Sequence, residues 1–141
     1  MTDPSRTVDS GGVDAVLEKA RSGLCRVAPV DLTAAVARGA LIVDTRTDLQ
    51  RRSQGTLPFG LVIDRTVLEW RLDPVCPDRI PEAIGYDLEI VVVCRQGYSS
   101  SLAASSLRSL GLWRATDLIG GVEGWLTAGL PVTDGPGDVR L

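Results

Sequence analysis

Few side chains in this sequence can do chemistry, and most of them cluster. The chain has three cysteines, Cys25, Cys76 and Cys94, and no histidine. The missing histidine rules out every Cys–His nucleophile pair. It also rules out zinc sites built on imidazole, and three scattered thiols without a CxxC spacing make a poor all-cysteine metal site. An odd, sparse set of cysteines is no disulfide framework either. One thiol stands out by its surroundings. In "EIVVVCRQGYSSSLAA" (Glu89–Ala104) the apolar run Ile90–Val93 leads straight into Cys94. Arg95, Gln96, Gly97, Tyr98, Ser99, Ser100 and Ser101 follow.

A loop between a buried strand and a helix turns its backbone N–H groups into a concavity, and the helix adds the positive end of its dipole. Gly97 permits a backbone angle that a side chain would resist. The product is an anion nest. A thiol at its mouth feels the same field, which favours the thiolate. Two chemistries use this device without a histidine base: sulfur transfer through a cysteine persulfide, and phosphoryl transfer through a phosphocysteine. A cysteine phosphatase closes its loop with an arginine six positions after the thiol, and here that position is Ser100. Without that arginine the phosphoryl oxygens lose their bidentate clamp. The loop's one arginine, Arg95, directly follows the thiol and is placed to face an anionic donor.

The elements that must hold this loop are legible around it. Val13, Val16, Leu17 and Ala20 fall at helical spacing, with Gly23 as a stop. "CRV" (25–27) suits a short edge strand, and "APVDLTAAVARGA" a helix with Pro29 near its start and Gly39 past its end. "ALIVDTR" is an apolar strand, buried on both faces, that ends on Asp44, Thr45 and Arg46. "TDLQRRSQ" is read as a helix capped by Thr47 or Asp48, "LVID" as a third short strand, and "RTVLEWRL" as helical. The stretch carrying Pro74, Pro77 and Pro81 is a surface loop. "LEIVVVC" is the strongest strand and is expected at the centre of the sheet. A helix then places Ala103, Leu107 and Leu110 on one face. "RATDLIGG" supplies a fifth strand, and "GVEGWLTAGLPV" a closing helical turn around Trp125.

Strands alternating with helices define a parallel α/β fold, about five strands with crossovers on both faces. Ligands in such sheets bind beyond the carboxyl ends of the strands, where Cys94 and the Asp44–Arg46 segment both fall. Residues 1–22 are read as a tail and short helix, 23–135 as the domain and 136–141 as a C-terminal tail. The length suits one domain with a proper core. Hydrophobic residues make up 44% and charged residues 23%, an ordinary globular balance. A net charge of -3 gives no reason to expect nucleic acid or an acidic membrane as a partner. No apolar run approaches a membrane span, and "MTDPSRTVDSGG" has no apolar signal region. A cytoplasmic location is the expectation.

The stretch "VVVCRQGYSSSLAASSLRSLG" resembles the active-site segment of rhodanese-like sulfurtransferases, whose loop begins Cys-Arg-x-Gly. Three further segments agree in order. "LIVDTR" is similar to the family's Asp-x-Arg strand end, "GTLPFGLVID" to its Gly-His-Ile-Pro-Gly-Ala segment, and "LIGGVEGWLTAGLPV" to its Gly-Gly-x-x-x-Trp motif. The likeness spans roughly Arg26 to Val132. It implies a nucleophilic Cys94 that takes a sulfane sulfur from thiosulfate or a similar donor and hands it to a thiol, to cyanide or to an acceptor protein. No metal or organic cofactor is implied. It gives the backbone of Arg95, Gln96, Gly97, Tyr98 and Ser99 the task of cradling the sulfur, and the Arg95 side chain that of orienting the donor. Ser99 and Ser100 would offer hydroxyls to the outer sulfur, while Asp44 and Arg46 would brace the loop or line the pocket. Thr56 stands where the family usually has histidine, Phe59 where it has glycine, and Tyr98 is larger than usual. Two alternatives remain beside this reading: a non-catalytic docking or regulatory module on the same fold, and a cysteine phosphatase or arsenate-reductase-like enzyme. Cys25 and Cys76 are read as structural, with a resolving role open to Cys76. Trp113 and Trp125 are read as packing residues. Trp70 and Arg71 are read as lining the pocket or covering the core.

Overall fold

The computed structural model describes residues 11–141. Five parallel strands form one sheet: β1 Leu41–Asp44, β2 Leu61–Ile63, β3 Ile90–Val93, β4 Ala115–Asp117 and β5 Asp138–Arg140. Their spatial order is β4-β3-β1-β2-β5. Six helices surround it: α1 Gly12–Arg21, α2 Leu32–Ala37, α3 Asp48–Gln54, α4 Leu68–Leu72, α5 Ser99–Ser109 and α6 Gly121–Thr127. No described helix is long and apolar enough to cross a membrane.

The β-branched run of β3 resists helix and suits a strand buried on both faces. Successive side chains point to opposite faces, and the packing follows that rule. Ile90 and Val92 join Leu68, Leu72, Ala103 and Leu107 on one face. Val91 and Val93 join Leu32, Leu118, Val122 and Trp125 on the other. All four β3 side chains are fully buried, which stabilises the fold by about 1.5–3 kcal/mol for each. Helix α3 carries a capping box: Thr47 accepts from the Gln50 N–H, and the Gln50 side chain accepts from the Thr47 N–H.

The middle strand is β1, with β3 as its interior neighbour, so the strongest strand is not the central one. The chain leaves β1 toward β2 on one side and later returns to β3 on the other. Order therefore reverses between β1 and β3, and in sheets of this kind ligands bind beyond the carboxyl ends at that point. Residues 136–141, expected as a tail, supply β5, which pairs with β2 through Val62 and Val139. That strand is nearly all exposed, and its charged Asp138 and Arg140 gave no strand signal. "CRV" contributes one isolated bridge, Val27 to Leu118, rather than a strand. Helix α1 packs against α5, but only Leu17 of its apolar set is buried, and Val13 and Val16 are exposed. Trp113 and Trp70 are exposed as well, whereas Trp125 is buried.

Candidate active site

The thiol lies at this end of the sheet. Cys94 follows β3 directly, and its side chain is almost wholly buried. The N–H of Gly97 donates to Cys94 Sγ at 3.1 Å, and the N–H of Ser100 at 3.4 Å. The sulfur therefore sits inside the turn, facing backbone donors at the start of α5. Gly97 has φ +81, and a Cβ there would lie 2.7 Å from the Gly120 nitrogen. Two glycines at the start of α6 press on the loop from the other side. The Val122 N–H donates to the Cys94 carbonyl and the Glu123 N–H to the Arg95 carbonyl. A Cβ at Gly121 would lie 2.5 Å from the Cys94 oxygen and 2.6 Å from the Gly97 nitrogen. In "LIGGVEGW" the second glycine, Gly121, is thus glycine because the thiol loop lies against it, whereas Gly120 is set by its φ of +75 and by Gly124, whose Cα a Cβ there would meet at 3.1 Å.

The structure brings Cys94 to Ser100 together as one loop, but not every side chain has its expected task. The Ser100 hydroxyl donates to Asp117 Oδ2 at 2.8 Å inside the protein. It is not presented to an outer sulfur; only the Ser100 N–H faces the thiol. Ser99 and Tyr98 are exposed and Gln96 is half-buried. Arg95 is half-exposed and its Nε pairs with Glu123 Oε2 at 2.9 Å. The cation beside the thiol is thus already engaged, in a solvent-exposed pair of the kind that exchanges partners at little cost. Asp44 and Arg46 form a buried, bidentate pair. Arg46 also donates to the Gly55 carbonyl and accepts from Arg51 through its own carbonyl. This pair braces the β1–α3–β2 connection. The contact from this segment to β3 is made by Thr45, whose N–H and hydroxyl both donate to the Val93 carbonyl just before the thiol.

Thr56 is buried and ties to Thr133 and Gly135 near the chain's end. Phe59 packs edge-on against Trp125, with ring centroids 5.6 Å apart. Cys25 is an exposed free thiol and Cys76 a half-buried one.

Sequence reasoning missed the groups beneath the loop. Asp117 ends β4, is fully buried, and accepts from Arg26 Nε at 2.8 Å and from the Ser100 and Ser101 hydroxyls at 2.8 Å each. Its position at the carboxyl end of a parallel strand, level with Val92 and so two residues short of Cys94, was a signal that could have found it. Arg26 and Arg21 both reach the Gly97 carbonyl, at 3.2 and 2.8 Å. Nothing in their local sequence marks them.

The parallel sheet with a thiol loop at its switch point defines the class, and comparison with known proteins gives the family. The profile of the rhodanese-like domain matches residues 28–128, so the chain belongs to that family. It is similar to a sulfurtransferase of Allochromatium vinosum, 33% identical over 92 residues, covering 65% of this chain and 77% of that protein. Among solved structures, a protein of unknown function from Rhodopseudomonas palustris, described as a possible tyrosine phosphatase, is 29% identical with a TM-score of 0.77. That match covers 94% of this chain and 98% of the other. A human single-domain sulfurtransferase is 26% identical with a TM-score of 0.58, covering 72% of this chain and 95% of that one.

Proposed function

We propose that this protein is a sulfurtransferase that carries a sulfane sulfur on Cys94. The Cys94 thiolate attacks the outer sulfur of thiosulfate or a comparable anionic donor. The donor's S–S bond breaks, sulfite leaves with the electron pair, and Cys94 holds a persulfide. An acceptor nucleophile (cyanide in an assay, a thiol or an acceptor protein in the cell) then attacks the outer sulfur, and the Cys94 thiolate departs. Both steps are displacements at sulfur, so neither needs a metal or organic cofactor. Two half-reactions through a covalent intermediate give ping-pong kinetics. A cytoplasmic setting, where thiols stay reduced, suits this cycle.

The observation that carries the reading is the thiol seated in a loop whose N–H groups of Gly97 and Ser100 face Sγ. Arg95, half-exposed beside it, is the group to meet an anionic donor by exchanging Glu123 for it. The A. vinosum relative named as a sulfurtransferase supports the same class.

A phosphatase reading is raised by the R. palustris structure described as a possible tyrosine phosphatase. Against it stands the residue six after the thiol. It is Ser100, with its hydroxyl turned inward to Asp117, and it offers no fork for phosphoryl oxygens. The deciding experiment gives the protein thiosulfate and cyanide in one assay and a small aryl phosphate in another. Thiocyanate formation that disappears in Cys94→Ser is the expected result. Aryl phosphate hydrolysis with no thiocyanate would replace the proposal with the phosphatase reading.

A further inference from the structure

The Cys94 loop rests on a charged network that ties it to a helix outside the matched family segment. Arg21, the last residue of α1, donates through Nη2 to the Gly97 carbonyl at 2.8 Å and through Nε to Ser101 Oγ at 2.9 Å. Arg26 Nη2 reaches the same carbonyl at 3.2 Å, and its Nε and Nη2 also fork onto Asp117. Asp117 in turn holds the Ser100 and Ser101 hydroxyls. Two guanidiniums and one carboxylate leave a net charge of +1 beneath the loop (2 − 1).

We infer that Arg21 and Arg26 are positioning residues of the Cys94 loop, so that helix α1 is a working part of the active site; this rests on the persulfide reading above. In a trans peptide the C=O and the following N–H point opposite ways. Anchoring the Gly97 carbonyl on two arginines therefore turns the Tyr98 N–H away from them, while the N–H of Gly97 itself meets Sγ. A flip of that peptide would aim a carbonyl's negative end where a donor N–H now lies. Gly97, at φ +81, has the conformational freedom to flip unless its carbonyl is held. The arginines supply that hold at 2.8 and 3.2 Å, with the Ser101 hydroxyl a weaker third donor at 3.4 Å. The class of ligand follows: an anionic sulfur donor, whose charge the aimed N–H groups receive.

Arg26 cannot be the test variant, because its loss strips the buried Asp117 of its counter-charge. Arg21 serves, as Arg21→Gln and as Arg21→Lys, which keeps the charge but not the two-point fork. Both are made in a Cys25→Ser/Cys76→Ser background, with thermal unfolding measured alongside. The main readout is the rate of Cys94 alkylation by anionic iodoacetate relative to neutral iodoacetamide, followed on the Cys94 peptide by mass. The second is the rate of sulfur uptake from thiosulfate. The expected result for both variants is a folded protein whose iodoacetate-to-iodoacetamide ratio and thiosulfate uptake each fall by about tenfold or more. If Arg21→Gln fails to fold, Arg21→Lys decides alone. A native ratio in either folded variant overturns the inference. If the parent takes up no sulfur from thiosulfate while the alkylation ratio still depends on Arg21, the sulfurtransferase reading falls and the positioning role stands.

Discussion

Substituting Gly121 by alanine perturbs the thiol loop through a single methyl group. The new Cβ would lie 2.5 Å from the Cys94 oxygen, 2.6 Å from the Gly97 nitrogen and 2.7 Å from the Arg95 carbonyl carbon. All three are backbone atoms, so no flexible side chain can give way. Ordinary contact begins near 3.4 Å, so the loop must retreat by about 0.9 Å (3.4 − 2.5) or α6 must move by as much. The Gly97 nitrogen is the donor to Sγ, which makes the displaced backbone the one that receives charge. A misplacement of ~1 Å at a reacting centre costs roughly 100-fold in rate. The positive φ of +59 at Gly121 adds strain of about 1–2 kcal/mol, against a total stability of about 5–15 kcal/mol. The variant should therefore fold and lose about 100-fold in thiosulfate-to-cyanide turnover. Gly129→Ala is the matched control: it has φ +76 but nothing within 4 Å of the new methyl. It carries similar backbone strain and should keep turnover. Native turnover in a folded Gly121→Ala would show that the Gly121 contacts do not set the loop, as would an equal loss in Gly129→Ala.

Removing the Glu123 carboxylate with Glu123→Gln frees Arg95 from its ion pair. A solvent-exposed pair is worth about 0.2–1 kcal/mol, so KM for thiosulfate should fall by about 1.4- to 5-fold; an unchanged KM would mean that Arg95 does not meet the donor. The acid response should come from carboxylates held by arginines. A hydrogen bond from Arg140 holds Glu82 and Asp138 below their ordinary range, and one from Arg38 does the same for Glu89. Such groups stabilise the fold above their unfolded pKa and lose that contribution as pH falls through the lower folded value. The unfolding midpoint should thus fall as pH drops below the ordinary glutamate value of 4.5, and Arg140→Gln should flatten part of that fall. An acid limb of native steepness in Arg140→Gln would remove the Glu82–Asp138–Arg140 cluster from the account. Replacing both Cys25 and Cys76 by serine should leave turnover intact, since neither thiol belongs to the loop; a large loss would bring one of them into the cycle.

Much of this arrangement was legible because the governing interactions are local. The valine run of β3, the glycine of the turn and the serine-rich start of α5 each carry their own conformational signal. The family resemblance added the glycine pair at Gly120 and Gly121, and the structure supplies its reason in the backbone contacts of Gly121. The missing parts are held by tertiary contacts between residues far apart in sequence. Asp117 and Arg26 meet across 91 positions, and Arg21 and Gly97 across 76. No periodicity announces a salt bridge of that span. Strand β5 escaped for a related reason: Arg140 pairs with both Asp138 and Glu82 on an exposed edge, where charge is common and alternation of apolar residues is not required. Ser100 shows the limit of assigning a role by position. The residue is at the expected place in the loop, yet Asp117, 17 positions further on, claims its hydroxyl.

Everything proposed for the cycle passes through a sulfur atom held on Cys94. Intact mass measurement after incubation with thiosulfate and removal of excess donor tests it directly. The protein should gain one sulfur atom, localised to the Cys94 peptide, reversed by cyanide and absent in Cys94→Ser. No gain in the native protein, or an equal gain in Cys94→Ser, would contradict it.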